Sequence, residues 1–335
     1  MTRVALTLLA LMALGGCAGR PAALDPAGPQ AARIAGFWWL LLAVSIAVSV
    51  VVLAVLLDAL ARRRGGSLPP PPAVDPRLER RLTFGVAAAV VLTAILLLFL
   101  FVASLRTARA LNALGEPDAL TVEVTGHQWW WEVEYWDSAP ARRVRTANEI
   151  HVPVGRPVLV KTRSADVIHS LWAPRLAGKK DLLPQHATSL WMQADRPGMF
   201  DGQCAEFCGH QHAHMRLTVV AEAPEAFQTW LAHQRTPAAE PTEPALVHGR
   251  EVFLAGPCAL CHTIAGTTAA ARLGPDLTHF ASRTTLAAGT LPNDLGALAA
   301  WLVDPQRVKP GVHMPPAALP PRDFQALVAY LGSLR

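Results

Sequence analysis

The hydrophobic pattern changes character along the chain, and each change predicts a different kind of element. Residues 34–57 and 82–105 each run 24 positions without an Asp, Glu, Lys or Arg. As helices such runs cover about 36 Å, enough to cross a hydrocarbon core of about 30 Å with some tilt. They predict a transmembrane hairpin over 34–105. Buried helices of a soluble core fit less well, since these rarely exceed about 20 residues and carry a polar stripe. From residue 120 the rhythm becomes short alternating runs, "LTVEVTGHQWWWEVEYW", "EIHVPVGRPVLVKT" and "MRLTVVAEA", separated by turn residues. Such alternation predicts half-buried strands of an all-β sandwich or barrel over 118–234, closed by a short helix at "PEAFQTWLAHQ". "RTPAAEPTEPA", 235–245, has three prolines and no periodicity, which marks a linker. Residues 246–335 return to helical periodicity as a small, mostly α domain.

Ahead of the hairpin, "MTRVALTLLALMALGGC" pairs one arginine with an apolar run too short to span, then small residues. This predicts a signal peptide over 1–16. Its "LGGC" ending resembles the bacterial lipoprotein box, which implies a lipid on Cys17; an unmodified Cys17 behind a plain signal peptide is the alternative. Between the spans Arg62, Arg63, Arg64, Arg77, Arg80 and Arg81 outnumber Asp58, Asp75 and Glu79. The positive-inside tendency therefore puts this connection in the cytoplasm and both ends of the chain on the periplasmic side of a bacterial inner membrane. The composition, 52% hydrophobic with a net charge of +5, suits a membrane protein and offers no footprint for nucleic acid.

"CALCH", 258–262, sets two thiols and an imidazole at the spacing of c-type haem attachment. Cys258 and Cys261 can add to the two vinyl groups while His262 reaches the iron from the same side. Met314, in "VKPGVHMPP", supplies a thioether later in the same domain, suited to the second axial position. A core methionine at 314 and a ligating His313 are the alternatives.

"GQCAEFCGHQHAHM", 202–215, crowds Cys204 and Cys208 with His210, His212, His214 and Met215. A disulfide is open to the two cysteines in an oxidising compartment, but it would close a very small loop and leave the histidines unexplained. Zinc accepts two Cys and two His but has no use for a thioether. Thiolate, imidazole and thioether together suit copper.

Cys204, Glu206, Cys208, His212 and Met215, with "DVIHSLW" at 166–172, "GHQWWWEVEYW" at 126–136, "GKKDLLP" at 178–184 and "RPGMFDGQC" at 196–204, resemble cytochrome c oxidase subunit II. "CALCH", "LGPDLT", "AWLVDP" and "PGVHMPP" resemble a class I cytochrome c domain. Together they look like a caa3-type subunit II with a fused cytochrome c. The resemblance implies a membrane-anchored multidomain chain: the helical hairpin, a cupredoxin-like domain with binuclear copper A, then the cytochrome c domain. Cys204 and Cys208 would bridge two coppers. His169 and His212 would complete one position on each, with Met215 and the Glu206 carbonyl as weak axial ligands. The Glu206 carboxylate would serve a magnesium site facing subunit I. Trp129 would be the aromatic through which electrons arrive, sharing a strand face with Trp131; Glu79 matches an acid near the mouth of a proton path. His262 would be the proximal haem ligand, with Pro275 packing its side. Gln185 stands where the family usually has glycine.

The implied activity is electron input to a terminal haem-copper cytochrome c oxidase. Electrons would pass through haem c and copper A to haem a of subunit I, where oxygen is reduced to water with proton translocation. Implied partners are subunit I with haem a, haem a3 and copper B, subunit III, membrane lipid, and an external donor such as a soluble cytochrome c or a quinol–cytochrome c reductase. The input subunit of a copper A nitric oxide reductase and a copper-delivery protein are the rival readings.

Overall fold

The computed structural model describes residues 21–62, 75–112 and 119–335. Cys17 and the signal peptide, together with Arg63 and Arg64, lie outside the described residues.

Two long helices form one unit. Helix α1 runs Pro29–Arg62 and α2 Pro76–Asn112. Both are long and apolar enough to cross a membrane, and both carry large apolar side chains on their open surface, Val51, Phe84 and Leu92 among them. They overrun the charge-free segments. Each begins at a proline, which suits the first helical turn, and the helical ladder continues through polar flanks such as Asp58 and Arg62, an i,i+4 ion pair at 2.9 Å. Glu79 is exposed in the first turn of α2.

The other unit holds residues 119–335 together with the described residues up to Ala32, the first turn of α1 included. Its first part is a sandwich of two five-stranded sheets. The strands are β1 (Leu120–His127), β2 (Trp130–Tyr135), β3 (Val144–Ala147), β4 (Glu149–Pro153), β5 (Val158–Ser164), β6 (His169–Trp172), β7 (Lys180–Leu182), β8 (Thr188–Met192), β9 (Gly198–Cys204) and β10 (Arg216–Glu222). One sheet has the order β3-β2-β1-β5-β8, the other β4-β10-β9-β6-β7. Period-two alternation drives the assembly: Val122 and Val124 on β1, Trp131, Val133 and Tyr135 on β2, and Val158 and Val160 on β5 are all buried, while the positions between them are not. Residues Phe227 and Leu231 of helix α3 (Pro224–Gln234) cap this core.

Two pairings position the site. Strands β9 and β10 form a hairpin with Gln203 opposite Arg216, and the Cys204 N–H donates to the Met215 carbonyl at 3.0 Å, so the 205–215 loop is pinched at its base. Strand β6 pairs with β9 with Leu171 opposite Cys204, which carries His169 to the same end of the sheet.

The second part is helical: α4 (Pro244–Ala255), α5 (Leu295–Val303), the single turn α6 (Pro305–Val308) and α7 (Pro321–Ser333), with a two-stranded hairpin of β11 (Thr285–Leu286) and β12 (Leu291–Pro292). Asp294 and Asp304 cap α5 and α6 by accepting from the Ala297 and Arg307 N–H groups. Phe253, Ile264, Leu302, Leu327 and Tyr330 fill the core. The proline-rich 235–245 stretch is docked rather than loose. The Ala238 N–H donates to the Ala265 carbonyl at 3.0 Å, His279 Nε2 bonds the Thr236 carbonyl at 3.0 Å, and Arg250 pairs with Glu240 at 3.3 Å.

Candidate metal centre and haem-binding turn

At the loop end of the sandwich, side chains from three segments converge. Cys204 Sγ lies 3.9 Å from His169 Nδ1 and 3.8 Å from Cys208 Sγ; Cys208 Sγ lies 3.6 Å from His212 Nδ1 and 3.9 Å from Met215 Sδ. The Glu206 carbonyl oxygen is 3.2 Å from Cys204 Sγ. A sulfur separation of 3.8 Å is far beyond the ~2.05 Å of a disulfide, so these are two free thiols. His169, at 0% exposure, and both cysteines are buried; His212 is half-buried. The structure thus brings together the imidazoles, thiols, thioether and carbonyl singled out in the sequence.

The electrostatics favour a cation. The Cys208 thiol directed at Cys204, aided by His169, pulls the Cys204 pKa down to about 3, while the resulting thiolate drives that of Cys208 up. The bare pair therefore carries one thiolate, and removing the second proton needs positive charge between the sulfurs. Burial alone would disfavour a charged His169, but Asp166 and Cys204 outweigh it and raise its pKa. Soft sulfur with imidazole fits copper, and His169, Cys204 and Cys208, all buried, present donor atoms within 4.8 Å of one another.

Asp166, the first residue of "DVIHSLW", is the outer partner of His169. Its Oδ1 takes His169 Nε2 at 2.8 Å, which leaves Nδ1 facing the sulfur, and its Oδ2 accepts the Gln128 N–H at 2.7 Å. The carboxylate three positions before a candidate ligand histidine was the available signal. Gly126 completes the fit: a β-carbon there would lie 2.7 Å from the His169 ring.

Trp129 departs from the expected placement. It does not lie in the strand with Trp131 but in the two-residue turn between β1 and β2, where His127 faces Trp130. Its Nε1–H donates to the Cys208 carbonyl at 3.0 Å, and Gln128 Nε2 donates to the same oxygen at 2.8 Å. These bonds, with Asp166 on the turn, turn the indole inward, and Trp129 is 6% exposed. Trp130 instead stacks on His127 at 4.3 Å.

The helical part meets the sandwich here. Gly311 lies against the Trp129 ring, where a β-carbon would stand 3.5 Å from Cη2. Lys309 Nζ donates to the Trp129 carbonyl, Gln211 Nε2 to the Pro310 carbonyl at 2.8 Å, and the Arg216 N–H to the Ala288 carbonyl at 3.0 Å. Burial lowers the Lys309 pKa to about 7. Away from this contact, Thr284 donates through N and Oγ1 to the buried Glu149 at 2.7 and 2.5 Å. His214 keeps Gln211 in place through Nδ1 at 2.8 Å, whereas His210 is exposed.

In the helical part Cys258 and Cys261 flank one tight turn, and the N–H groups of Cys261 and His262 both donate to the Cys258 carbonyl at 3.1 and 3.0 Å. Burial pushes the Cys258 thiol pKa up and that of His262 down. His262 Nδ1 bonds the Pro275 carbonyl at 2.7 Å, which fixes the ring and leaves Nε2 as the available nitrogen. Gly274 permits that approach, since a β-carbon would lie 2.6 Å from the imidazole. Met314 packs on the core while His313 is exposed. Two thiols, an oriented imidazole and a thioether in one small domain are the residues that would hold a covalently attached haem c.

Glu206 is exposed, its carboxylate 3.9 Å from Lys179 Nζ. Gln185 takes φ 60°, the left-handed conformation that glycine favours, so the loop keeps a glycine-like turn without the glycine.

Comparison with known proteins gives two family matches: cytochrome c oxidase subunit II, periplasmic domain, over residues 136–222, and cytochrome c, over residues 246–335. Cytochrome c oxidase subunit 2 of Alkalihalophilus pseudofirmus is 36% identical over 96% of this chain and 94% of its own length. The Bacillus subtilis protein of the same name is 31% identical over 65% of this chain and 63% of its length.

Proposed function

Because the chain belongs to the cytochrome c oxidase subunit II family, with a cytochrome c domain that implies haem c and a subunit II domain that implies copper A, we propose that it is the electron-input subunit of a caa3-type oxidase. In this reading it takes electrons from an external donor, a soluble cytochrome c or a quinol–cytochrome c reductase. It delivers them to haem a of subunit I for proton-translocating oxygen reduction. Its two helices would dock on subunit I in the inner membrane, with subunit III as a further partner, and Cys17 would carry a lipid.

The observation that carries the reading is the continuous chain of contacts from Met215 and His212 through Cys208, Cys204 and His169 to Asp166, with Trp129 bonded to the Cys208 carbonyl. Cys204 and Cys208 would hold two coppers, with His169, His212, Met215 and the Glu206 carbonyl around them; Cys258, Cys261, His262 and Met314 would hold the haem. Bound in these places, both groups supply one-electron redox chemistry. The chain's own residues keep the surroundings fixed: Asp166 holds the His169 proton on Nε2, Pro275 orients His262, and the strand-anchored loop resists rearrangement, so little reorganisation accompanies a change of charge. Trp129 bridges the copper loop and the 309–312 segment with an indole that touches both. The Glu206 carboxylate would serve magnesium towards subunit I, and Glu79 the mouth of a proton path.

The test is purification of the intact complex. The expected result is a co-purifying large haem subunit, a covalent c-type haem, and the near-infrared band of a mixed-valence copper pair on this chain. Full copper loading without that band would overturn the binuclear assignment.

A further inference from the structure

We propose that Lys309 is a positioning residue that clamps the cytochrome domain onto the copper loop in the arrangement used for electron transfer. The proposal rests on the reading of the two sites given above. Lys309 Nζ, which has three N–H donors when protonated, meets three main-chain carbonyls: Trp129 at 2.8 Å, His214 at 2.9 Å and Ala287 at 3.2 Å. The side chain is 1% exposed, so water does not compete for these bonds.

The three acceptors belong to three different segments. Trp129 sits in the turn bonded to Cys208; His214 lies between His212 and Met215; Ala287 is at the tip of the β11–β12 hairpin of the cytochrome domain. Lys309 itself precedes Met314 on the same loop. One amino group therefore ties the Met314 loop and the hairpin tip to the copper loop at His214 and to the turn that is bonded to that loop through Trp129. The tip is shaped for this: Ala287 and Ala288 take φ 52° and 56°, so that one carbonyl faces Lys309 and the next accepts the Arg216 N–H. Left-handed alanines persist only where surrounding contacts over-determine them. A compact ammonium suits three converging oxygens, whereas the planar fork of arginine does not.

The test compares intact, membrane-purified wild-type enzyme with Lys309→Ala and Lys309→Gln. Lys309→Ala removes the side-chain donor from the Trp129 and His214 carbonyls and leaves that of Ala287 with the Thr290 hydroxyl alone, so the docked population falls. Hydrogen exchange in residues 285–291 and 309–313 should quicken about tenfold or more, and haem-to-copper transfer after photoreduction should slow by a similar factor. The copper resonance and haem spectrum should stay unchanged. Added ethylammonium should restore part of both losses, and Lys309→Gln should fall between. Exchange and transfer within about twofold of wild type in a fully loaded Lys309→Ala enzyme would overturn the clamp. If Lys309→Ala fails to load either group, Lys309→Gln decides by the same two measurements. Wild type lacking copper or covalent haem would instead sink the underlying reading, while the exchange measurement still reports on the clamp.

Discussion

At the haem-binding turn, three of the four chemistry-bearing side chains, Cys258, Cys261 and His262, are set by one turn of backbone hydrogen-bonded to the Cys258 carbonyl. At the copper loop, His169 arrives on a different strand, 35 residues from the cysteine it faces, and depends on β6 pairing with β9. The first site is a property of local chain geometry; the second is a property of sheet register. A one-residue slip of β6 would turn His169 to the opposite face, whereas no sheet has to form for Cys258 and His262 to be neighbours. Damage should therefore spread differently from the two.

Ligand removal should give the largest contrast. Cys208→Ser should abolish copper loading, measured as copper content and loss of near-infrared absorption, because it removes one of the two buried thiols that meet at 3.8 Å. His262→Ala should leave copper loaded and the haem covalently attached through two thiols, yet stop reduction by the natural donor while a small reductant still reduces copper. Unchanged natural turnover in His262→Ala would break the serial order of the two sites.

Next in size is the outer carboxylate. Asp166→Asn keeps the shape but weakens the hold on the His169 proton, and copper affinity should drop about 10–100-fold in a chelator competition. An unchanged affinity would mean that sheet register alone orients His169.

Packing against the two histidines offers a finer comparison. Gly126→Ala and Gly274→Ala each force a β-carbon to under 3 Å from an imidazole, at a cost of about 1–3 kcal/mol each in thermal unfolding. The first should also perturb the copper resonance, because β6 cannot yield without moving Leu171 opposite Cys204. The second should shift the haem spectrum and leave copper alone.

The smallest effect is expected at the seam. His151 stacks on Trp230 and lies between Glu149 and Glu222, at 3.6 and 3.1 Å, with Glu149 also holding Thr284. Burial disfavours its charge, but the two carboxylates raise its pKa above the ordinary 6.5. That stabilisation is complete below pH 6.5 and is lost as pH rises through the raised value. The Glu149 pKa shifts the other way: its burial is outweighed by His151 and Thr284, so its contribution is lost as pH falls below 4.5 through the lowered value. Melting curves of wild type should decline above pH 6.5, and His151→Gln should flatten that decline and lower the melting temperature by about 2–4 °C near pH 6.

Much of this was legible in residue order. The helices, the sandwich and the helical tail follow from charge-free runs, alternation and helical periodicity, and "CALCH" announces itself because its chemistry is local. "GQCAEFCGHQHAHM" declared a soft-metal loop for the same reason. Asp166, Gln128 and Lys309 were not legible as working parts, since an Asp three residues before a His, a Gln in a turn and a Lys before a proline are commonplace until their partners are known. Trp129 was misplaced because alternation extends the strand through "WWW", whereas bonds from Asp166 and Cys208 fix a turn there.

By itself the sequence determined which donors exist and in which stretch of the chain, because periodicity and short-range spacing are written in consecutive residues. Only the tertiary structure decided which donors meet. The register of β6 on β9 brings His169 to Cys204, and the buried Lys309 amine joins the Met314 loop to Trp129 across 180 positions. Pairings of that kind depend on which buried polar groups find partners once water is excluded, and that is settled only when the layers close.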